Sequence, residues 1–479
     1  MNRARGPLPR QADVSWWMEE ARADPALAAS EPCPPLTGSE RADVVVCGGG
    51  YTGMWAAWFL HEREPSLDIA VLEADARCGY GPSGRNGGFC SGTWEDLPAL
   101  VRSFGDADAI RLARAAERSV DGIEAWLAEH EVDAWFTRAG HLTVATSPAQ
   151  DDAWRELVAE ASRLDVAEGR FVELDAAAVR DRCTSPVFRA GLLQPNGATL
   201  QPARLALGLR RELLRRGVRI FEGTAVRRIA PGPPVRVETG AGDVTADAGV
   251  LGLGAWTASL RRFHRSIVPR GTYIVVTEPA PERLAEIGWT GGEGLGDWRT
   301  ALHYLRTTPD GRIAFGAAAA TAGLGTGLGP RLRYDERSIV KLVDDFRRFF
   351  PSWNRVSFDA AWGGPMDVTA SHLPFFGSFP GGALHYGAGY TGGGVGPCHL
   401  GGKILASLAL GLEDEHTSLP LVHVEPRRFP PEPLLSVGAA LAQGAIVRKD
   451  EAEDRGAAAD PLTASVARLP RRMGYELGP

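Results

Sequence analysis

Three glycines with the spacing Gly48-x-Gly50-x-x-Gly53 lie between a β-branched run and an apolar stretch that predicts a helix. In such a turn the first glycine permits a tight bend, the second lets the backbone approach a pyrophosphate, and the third lets helix and strand pack closely. The amino terminus of the helix then faces the phosphates. Glycine-rich surface turns are common, but the flanking strand and helix predict a dinucleotide-binding turn. Its expected contacts are Gly48, Gly50, Tyr51, Thr52 and Gly53.

A carboxylate stands where a dinucleotide fold places its ribose-binding acid. The apolar strand predicted over 67–72 ends at Glu73, about 20 residues beyond the last glycine of the turn. Glu73 would accept hydrogen bonds from the ribose hydroxyls, and its charge would repel a 2′-phosphate, which disfavours NADP. Strand, turn, helix and second strand together predict a βαβ unit.

Two further glycine-rich segments follow, one at 79–88 and one at 392–394. A nicotinamide dinucleotide needs only the first βαβ unit and leaves both of these segments unexplained. Glycine-rich turns at both ends of a ligand suit a longer, extended cofactor. The pattern therefore favours FAD over NAD.

Five ordered segments match one family of proteins: 42–53, 83–88, 254–256, 310–312 and 389–395. The sequence resembles the D-amino-acid oxidase superfamily of flavoproteins, in the branch of glycine oxidase, sarcosine oxidase and bacterial γ-glutamylputrescine oxidase. The resemblance implies an α/β (α+β two-domain) fold, with a Rossmann-like FAD-binding domain and a substrate domain on a mainly antiparallel sheet. It also implies FAD-dependent oxidation of a C–N bond in a small amine or amino acid. A hydride would pass to flavin N5, and water would hydrolyse the imine to a carbonyl compound and an amine.

From the resemblance, the segment 83–88 should line the isoalloxazine ring, with Arg85 near the flavin and Asn86 hydrogen-bonded there; a purely structural loop is the alternative. The turn 392–394 should lie against the pyrimidine edge, where the dipole and N–H groups of the next helix would stabilise negative charge. The implied cofactor contacts beyond the first turn are Glu73, Ser83, Gly84, Arg85, Asn86, Gly87, Gly88, Val226, Gly254, Trp256, Gly392, Gly393, Gly394 and Val395.

Four residues are candidates for a catalytic role: Arg85, Tyr304, Tyr390 and Gly393. Tyr390 lies near the expected flavin edge, and Gly393 belongs to the turn expected to stabilise the reduced ring. If the amine substrate binds in its neutral form, no strong base is needed at the carbon that loses hydride.

Substrate contacts are expected on the strands that cover the flavin ring. These strands contain Tyr273, Arg299, His303, Tyr304 and Arg306. Alternation along a strand places Tyr304 and Arg306 on one face and Arg299 and His303 on the other. The sequence leaves open which face points inward, and a solvated or packing role is open for each residue. An inward arginine would suit bidentate recognition of an amino-acid carboxylate.

The covalent attachment residues of several relatives have no counterpart here. Arg85 stands in the position of the attaching histidine of dimethylglycine-type dehydrogenases, and 363–367 contains no cysteine, so noncovalent FAD is predicted. Sarcosine oxidases also use a lysine to speed the reaction of reduced flavin with oxygen. Lysine occurs only at Lys341, Lys403 and Lys449, away from the corresponding strand. The expected electron acceptor is O2, with a quinone or a partner electron carrier left open.

The elements that position these residues alternate along the chain between two domains. Apolar strands and amphipathic helices surround the glycine turns, whereas hairpins and strand-like runs predict the substrate domain. In the N-terminal extension only the Ser15-Trp16-Trp17 cluster looks able to dock. The expected segments are 1–41 for the N-terminal extension; 42–95, 196–268 and 361–449 for the FAD-binding domain; 96–195 and 269–360 for the substrate domain; and 450–479 for the C-terminal tail.

Composition excludes several classes of partner. With 479 residues, 44% of them hydrophobic, the chain can bury a core large enough for two domains. A net charge of -7 disfavours nucleic acid. No apolar window reaches the length of a membrane span and no signal peptide is evident, so the expected location is the cytoplasm. The six cysteines form no Cys-x-x-Cys pair, so no metal site is expected.

Two other interpretations of the sequence stay open. An NAD-linked dehydrogenase would use the same first βαβ unit, and a non-catalytic subunit of a larger complex would hold FAD without turnover. A yellow purified protein would decide against the first. Bound FAD that no amine reduces would favour the second.

Overall fold

The computed structural model describes residues 8–28, 31–317 and 327–475. Parts of the expected extension, substrate segment and tail lie outside the described residues, at 1–7, 29–30, 318–326 and 476–479. The strands of the described chain, β1 to β19, are Arg10–Gln11, Gly38–Cys47, Ile69–Leu72, Phe89–Cys90, His141–Val144, Val172–Leu174, Gly191–Gln194, Ala198–Thr199, Arg219–Phe221, Arg228–Ala230, Val235–Glu238, Gly242–Leu251, Val268–Thr277, Gly294–Asp297, His303–Thr307, Ile313–Ala317, Phe358–Val368, Phe375–Ser378 and Leu384–Ala388. Its α-helices, α1 to α13, are Trp16–Ala23, Pro25–Ala28, Tyr51–Arg63, Leu97–Phe104, Asp106–Glu129, Arg155–Arg163, Ala176–Arg182, Pro202–Arg215, Pro281–Glu286, Glu336–Phe349, Val395–Ala409, Leu434–Asp454 and Pro461–Arg472.

One sheet carries the first glycine turn at the end of its central strand. Strands β19, β12, β2, β3 and β9 lie side by side in parallel, with β2 in the middle. β11 pairs antiparallel with the first half of β12, β10 pairs with β11, and β18 pairs with β19. The apolar runs of β2 and β3 are buried, as is typical of a parallel sheet covered by helices. This arrangement is Rossmann-like.

The second sheet has nine strands in the order β1-β17-β13-β16-β15-β14-β5-β7-β6. Only the β1–β17 and β14–β5 pairs are parallel, so the sheet is mainly antiparallel. Helix α10 covers one face with a row of phenylalanines. The predicted α/β fold, with a Rossmann-like sheet and a mainly antiparallel second sheet, is therefore confirmed. Among the described helices, none combines the length and apolar character needed to cross a bilayer.

Helices α3 and α11 cross closely on the parallel sheet. Both are almost wholly buried. A Cβ on Gly402 of α11 would lie 2.7 Å from the backbone carbon of Trp55 on α3, so only glycine allows the observed approach. Because α3 begins at the first glycine turn and α11 begins after the turn 392–394, this packing fixes the two turns relative to each other.

The N-terminal segment docks between the antiparallel sheet and the segment 79–88. β1 adds a parallel strand to β17. In α1, the side chains of Trp17 and Met18 are buried, and the Ser15 hydroxyl donates to the Gly84 carbonyl at 2.6 Å. Strand β17 also crosses the expected domain boundary at residue 361 and pairs along its length with β13 of the antiparallel sheet. The limits of the two domains stay predictions.

Candidate active site

The first glycine turn leaves open space at the start of α3. Gly48 has a φ of +107°, and a Cβ on Gly53 would overlap the Gly48 carbonyl, so strand and helix meet without room for side chains. Gly50 differs, because a Cβ there would meet only Ser83 Oγ, at 3.1 Å. The space beside Gly50, at the amino terminus of α3, therefore fits a pyrophosphate.

Glu73 closes the same end of the site. Its Oε2 accepts a hydrogen bond from the Gly49 N–H and its Oε1 from the Asp75 N–H, both 2.7 Å long. Burial raises the pKa of Glu73 to about 7, although these backbone donors oppose the shift. Ribose hydroxyls donating to the carboxylate would further stabilise its charge. The place and chemistry of Glu73 fit the predicted ribose contact.

Two loops form the remaining wall of the nucleotide end. After β9, the Thr224 N–H donates to the Glu73 carbonyl at 2.7 Å, which places half-buried Val226 at this edge. After β12, the loop 252–254 packs against the first glycine turn. A Cβ on Gly252 would lie 2.8 Å from the backbone nitrogen of Gly53. Half-buried Trp256 follows this loop. The sequence-predicted contacts Val226, Gly254 and Trp256 thus follow strands β9 and β12 of the sheet that carries the first turn.

Loop 83–88 is shaped by hydrogen bonds among its own residues. Ser83 Oγ accepts from the Tyr51 N–H at 2.8 Å, which ties the loop to the start of α3. Asn86 Nδ2 donates to the Ser83 carbonyl at 2.9 Å, and Asn86 Oδ1 accepts from the Gly88 N–H at 2.8 Å. The Asn86 side chain therefore holds the loop in place from within.

The guanidinium of Arg85 is bonded to three backbone carbonyls. Nε donates to Tyr80 at 2.7 Å, and Nη1 donates to Val14 at 2.6 Å and to Gly363 at 3.2 Å. Burial lowers the pKa of Arg85 to about 10. The Arg85 carbonyl in turn accepts from the indole N–H of Trp362 at 2.8 Å. Arg85 thus links the N-terminal segment, its own loop and strand β17, which is a positioning role.

The turn 392–394 connects β19 to α11. Asp367 Oδ2 accepts from the Gly389 N–H at 2.6 Å, and the Gly393 N–H donates to the Tyr390 carbonyl at 3.0 Å. Burial raises the pKa of Asp367 to about 6 against the effect of its backbone donors. These contacts fix the path of the chain into the turn, and the Gly393 N–H is already used within it.

Helix α11 starts at Val395, directly after the turn. The first N–H groups of a helix have no partner inside it, and Pro397 has none to offer. The N–H groups of Gly394, Val395 and Gly396 are therefore the donors that this helix start presents. A Cβ on Gly393 would find its nearest atom at 3.9 Å, so the open side of the turn has room for a ring edge.

The Tyr390 side chain lies in the hydrophobic core beneath the turn. Its ring centroid is 6.2 Å from that of Phe376, and a Cβ on Gly401 of α11 would overlap its hydroxyl. Burial raises the pKa of Tyr390 well above its usual value. The structure therefore places Tyr390 where it supports the start of α11, and its catalytic role stays a prediction.

The antiparallel sheet directs Tyr304 and Arg306 toward loop 83–88. The Tyr304 hydroxyl shares a hydrogen bond of 2.7 Å with Thr272 Oγ1, and a Cβ on Gly87 would lie 2.8 Å from the Tyr304 ring. Burial raises the pKa of Tyr304 above its usual value. The sequence left open which face of the strand points inward. In the structure, the inward face carries Tyr304 and Arg306.

Arg306 is more deeply buried than Tyr304 on this inward face. Its Nη1 donates to the Leu200 carbonyl, and its guanidinium lies 5.5 Å from the ring centroid of Trp17. Burial lowers the pKa of Arg306 to about 9. Arg306 therefore anchors the sheet to the N-terminal helix.

The opposite face of the sheet holds the other candidates. His303 lies between Asp297, 2.7 Å from Nδ1, and Asp345, 3.2 Å from Nε2. Burial lowers the pKa of His303, but the two carboxylates outweigh it and the net shift is upward. Tyr273 is packed under α10, and Arg299 faces aspartates of α12. These three side chains are buried on the face of the sheet away from loop 83–88.

Three residues of the inward face were missed in the sequence: Arg270, Thr272 and Met366. Arg270 and Thr272 precede the apolar part of β13, and extending the two-residue alternation backward from Ile274 would have found both. Met366 pairs with Arg270 in the sheet register, and its Sδ lies 3.0 Å from the position of a Cβ on Gly392. Met366 could not be found in this way, because the pairing register of two strands that are distant in the sequence leaves no pattern within either strand.

A parallel Rossmann-like sheet and a mainly antiparallel sheet that meet at the same glycine turns form an arrangement typical of flavin-dependent oxidoreductases. The family model described as DAO, FAD dependent oxidoreductase, matches residues 43–408. The chain belongs to this family: it is an FAD-dependent amine or amino-acid oxidoreductase. FAD is its cofactor, which decides against the NAD-linked interpretation.

Individual relatives agree with this family. The chain is similar to gamma-glutamylputrescine oxidoreductase of Escherichia coli (strain K12), with 30% identity over 383 residues that cover 79% of this chain and 86% of the relative. It is 31% identical over 391 residues to a probable oxidoreductase, OrdL, of Rhizobium meliloti (strain 1021), covering 80% and 86%. The crystal structure of glycine oxidase from Geobacillus kaustophilus shares the fold, with a TM-score of 0.65 and 20% identity, covering 78% of this chain and 96% of that one.

Proposed function

We propose that the chain oxidises a C–N bond in a small amine or amino acid, using noncovalently bound FAD. The observation that carries this proposal is that loop 83–88 and turn 392–394 both meet one face of the antiparallel sheet, the face of Thr272 and Tyr304. Relatives named for gamma-glutamylputrescine, sarcosine and glycine support an amine or amino acid as the substrate.

The residues of the chain have distinct parts in this proposal. Bound FAD would supply a ring that takes a hydride from the substrate carbon. The first glycine turn would hold the pyrophosphate, Glu73 the ribose, and loop 83–88 the plane of the ring. The N–H groups at the start of α11 would face the pyrimidine edge and favour negative charge there.

Tyr304 would contact the substrate as a hydrogen-bonding group. Because burial raises the pKa of Tyr304, its hydroxyl stays protonated at neutral pH, and it positions the substrate without acting as a base. The substrate amine must then bind in its neutral form. Arg85 and Tyr390 would act through the loop and the turn that they hold.

Anaerobic mixing tests the proposed reaction. FAD-loaded protein is mixed with amines, N-methyl amines, D-amino acids and γ-glutamyl polyamines while the absorbance of oxidised flavin is followed. We expect at least one of these compounds to bleach the flavin, and Tyr304→Phe to slow that bleaching. Flavin that dithionite reduces but no compound of the panel reduces would contradict the proposal and favour a non-catalytic FAD-holding subunit.

The same sample addresses the electron acceptor, which we propose to be O2. After reduction by the substrate, air is admitted and the return of the oxidised absorbance is timed. Rapid return supports O2. A reduced flavin that persists in air and is reoxidised by an added quinone would contradict it.

A further inference from the structure

The N-terminal segment 10–24, which we call the strap, packs on the inward face of the antiparallel sheet. Its strand β1 pairs with β17, and its helix α1 follows. Buried side chains of α1 form one cluster with Ile274 of β13 and Trp362 of β17. Met366 lies further along β17, toward turn 392–394. The strap therefore covers the half of the inward face that lies farther from this turn.

Two consecutive residues of the strap are bonded to two consecutive residues of the loop proposed to line the flavin. The Ser15 hydroxyl donates to the Gly84 carbonyl at 2.6 Å, and Ser15 is fully buried. The preceding carbonyl, that of Val14, accepts from Arg85 Nη1, also at 2.6 Å. A Cβ on Gly84 would lie 2.7 Å from Met18 Cε, so α1 packs directly against the loop. These contacts fix the first half of the loop.

Trp17 supports the same loop through two neighbouring side chains. Its ring is fully buried, and the ring centroid lies 5.9 Å from that of Trp362 in an edge-to-face arrangement. Trp362 in turn donates its indole N–H to the Arg85 carbonyl at 2.8 Å. The Arg306 guanidinium lies 5.5 Å from the centroid of the Trp17 ring, and a Cβ on Gly88 would lie 2.6 Å from Arg306 Nη1. Trp17 therefore packs against the side chains that contact the middle and the end of the loop.

The strap is also anchored to helix α8, which precedes strand β9 of the parallel sheet. The Glu20 carboxylate accepts two hydrogen bonds from the buried Arg204 guanidinium, at 2.9 and 2.6 Å. Gln201 Nε2 donates to the Trp17 carbonyl at 2.7 Å. Strand β1 meanwhile belongs to the antiparallel sheet. Because the strap is bonded to elements of both sheets and to the loop, it determines where the loop lies relative to both.

We propose that the strap positions loop 83–88 against the flavin ring, with Ser15 and Trp17 as its positioning residues. This proposal rests on the proposed function, which assigns the loop to the plane of the ring. The family match covers 43–408, so the strap lies outside the part of the chain that the family model describes. The Ser15-Trp16-Trp17 cluster thereby has a role in the reaction as well as in docking the N-terminal segment.

Replacing Ser15 by glycine or by threonine separates the bond to the loop from the capping of α1. The Ser15 hydroxyl also accepts from the Met18 N–H at 3.0 Å, which caps the helix. Glycine and threonine are comparable N-caps, but only threonine keeps a hydroxyl that can donate to the Gly84 carbonyl. We expect Ser15→Gly to weaken FAD binding about 3- to 10-fold, the scale of one neutral hydrogen bond, and to change the visible circular dichroism of bound FAD. Ser15→Thr should keep both close to their wild-type values.

Titration of apoprotein with FAD gives the affinity, and the dichroism is recorded at saturating FAD. Asp175→Gly is the matched control, because Asp175 caps α7 by accepting from the N–H groups of Ala177 and Ala178. Asp175 is exposed, and α7 packs against β6 at the edge of the antiparallel sheet. Asp175→Gly should therefore change neither the affinity nor the dichroism.

Two replacements test Trp17. Its indole N–H forms no hydrogen bond with the residues that the structure describes, so its role depends on the ring. Trp17→Phe keeps an aromatic ring beside Trp362 and Arg306 and should retain the wild-type dichroism. Trp17→Leu removes the ring, so it should change the dichroism and weaken FAD binding. Thermal unfolding of each apoprotein shows whether it is folded, and the Ser15 variants decide the proposal even where Trp17→Leu fails to fold.

A folded Ser15→Gly variant with wild-type FAD affinity and dichroism would overturn the proposal, even if its thermal stability were lower, since the strap would then be purely structural. Equal losses in Ser15→Gly and Ser15→Thr would overturn it as well, because the hydroxyl would not be the group that matters. Neither measurement requires turnover. Flavin that no amine reduces would refute the proposed function, while the dependence of bound FAD on Ser15 would still stand.

Discussion

Replacing Gly50 by valine tests the pyrophosphate site without breaking the turn that forms it. Gly50 has a φ of -84°, which is open to any residue, and a Cβ there meets only Ser83 Oγ, at 3.1 Å. The same replacement at Gly53 would drive a side chain into the Gly48 carbonyl and disrupt the fold itself. Gly50→Val is therefore expected to fold and to lose FAD.

The magnitude follows from the contacts that the valine would block. A hydrogen bond to a charged group contributes about 1.5–3 kcal/mol, so losing two backbone donors to the phosphates weakens binding by about 3–6 kcal/mol. That is roughly a 10²- to 10⁴-fold loss of FAD affinity. Crowding of Ser83, whose Oγ must keep its bond to the Tyr51 N–H, should reduce the free energy of unfolding by about 1–3 kcal/mol.

The assay is titration of apoprotein with FAD, followed by the change in flavin fluorescence, together with thermal unfolding of each variant. Gly232→Val is the matched control, because no atom lies within 4 Å of a Cβ at Gly232 in the turn before β11. It should bind FAD like wild type. A folded Gly50→Val protein with wild-type affinity for FAD would refute the placement of the pyrophosphate.

Gly393→Leu should retain FAD, since the nucleotide contacts lie elsewhere, but slow flavin reduction about 100- to 1000-fold, because its side chain would fill the open side of the turn and separate the ring edge from the donors at a developing charge. Stopped-flow reduction and an FAD titration measure the two effects, and an unchanged rate would remove the turn from the mechanism. In apoprotein, the stability of Glu73→Gln relative to wild type should rise between pH 4.5 and about pH 7, because the raised pKa of Glu73 makes its ionised form destabilising. Thermal unfolding across that range checks this, and a pH-independent difference would contradict it. Acid or heat should release FAD intact, whereas flavin left on the denatured chain would show covalent attachment.

Local patterns in the sequence account for the turn and the carboxylate that form the proposed nucleotide end of the site. The glycines at 48–53 and Glu73 are separated by one strand and one helix, so their spacing in sequence determines their spacing in the fold. The steric demands at Gly48 and Gly53 explain why glycine is needed there. The mainly antiparallel second sheet was likewise predictable, although from family resemblance and not from a periodic pattern alone.

Side-chain direction in the second half of the site was not predictable in the same way. Alternation separates Tyr304 from His303, but the inward face is chosen by distant partners, namely the N-terminal helix with Trp17 on one side and α10 on the other. Arg85 was expected at the flavin, and its bond to the Val14 carbonyl depends on a segment about 70 residues earlier in the chain. A contact between two segments so far apart leaves no recognisable pattern in the sequence of either segment.

The buried arginines of loop 83–88 and of the inward face show how burial and charge shape this site. Among the described residues, Arg85, Arg270 and Arg306 form no ion pair with a carboxylate, and burial lowers the pKa of each. The guanidinium groups of Arg85 and Arg306 donate hydrogen bonds to backbone carbonyls. These two residues therefore contribute positive potential while they hold the loop and the sheet in place. Arg270 contributes the same potential, and its Nη2 donates to the side-chain oxygen of Gln443. A site lined in this way stabilises negative charge.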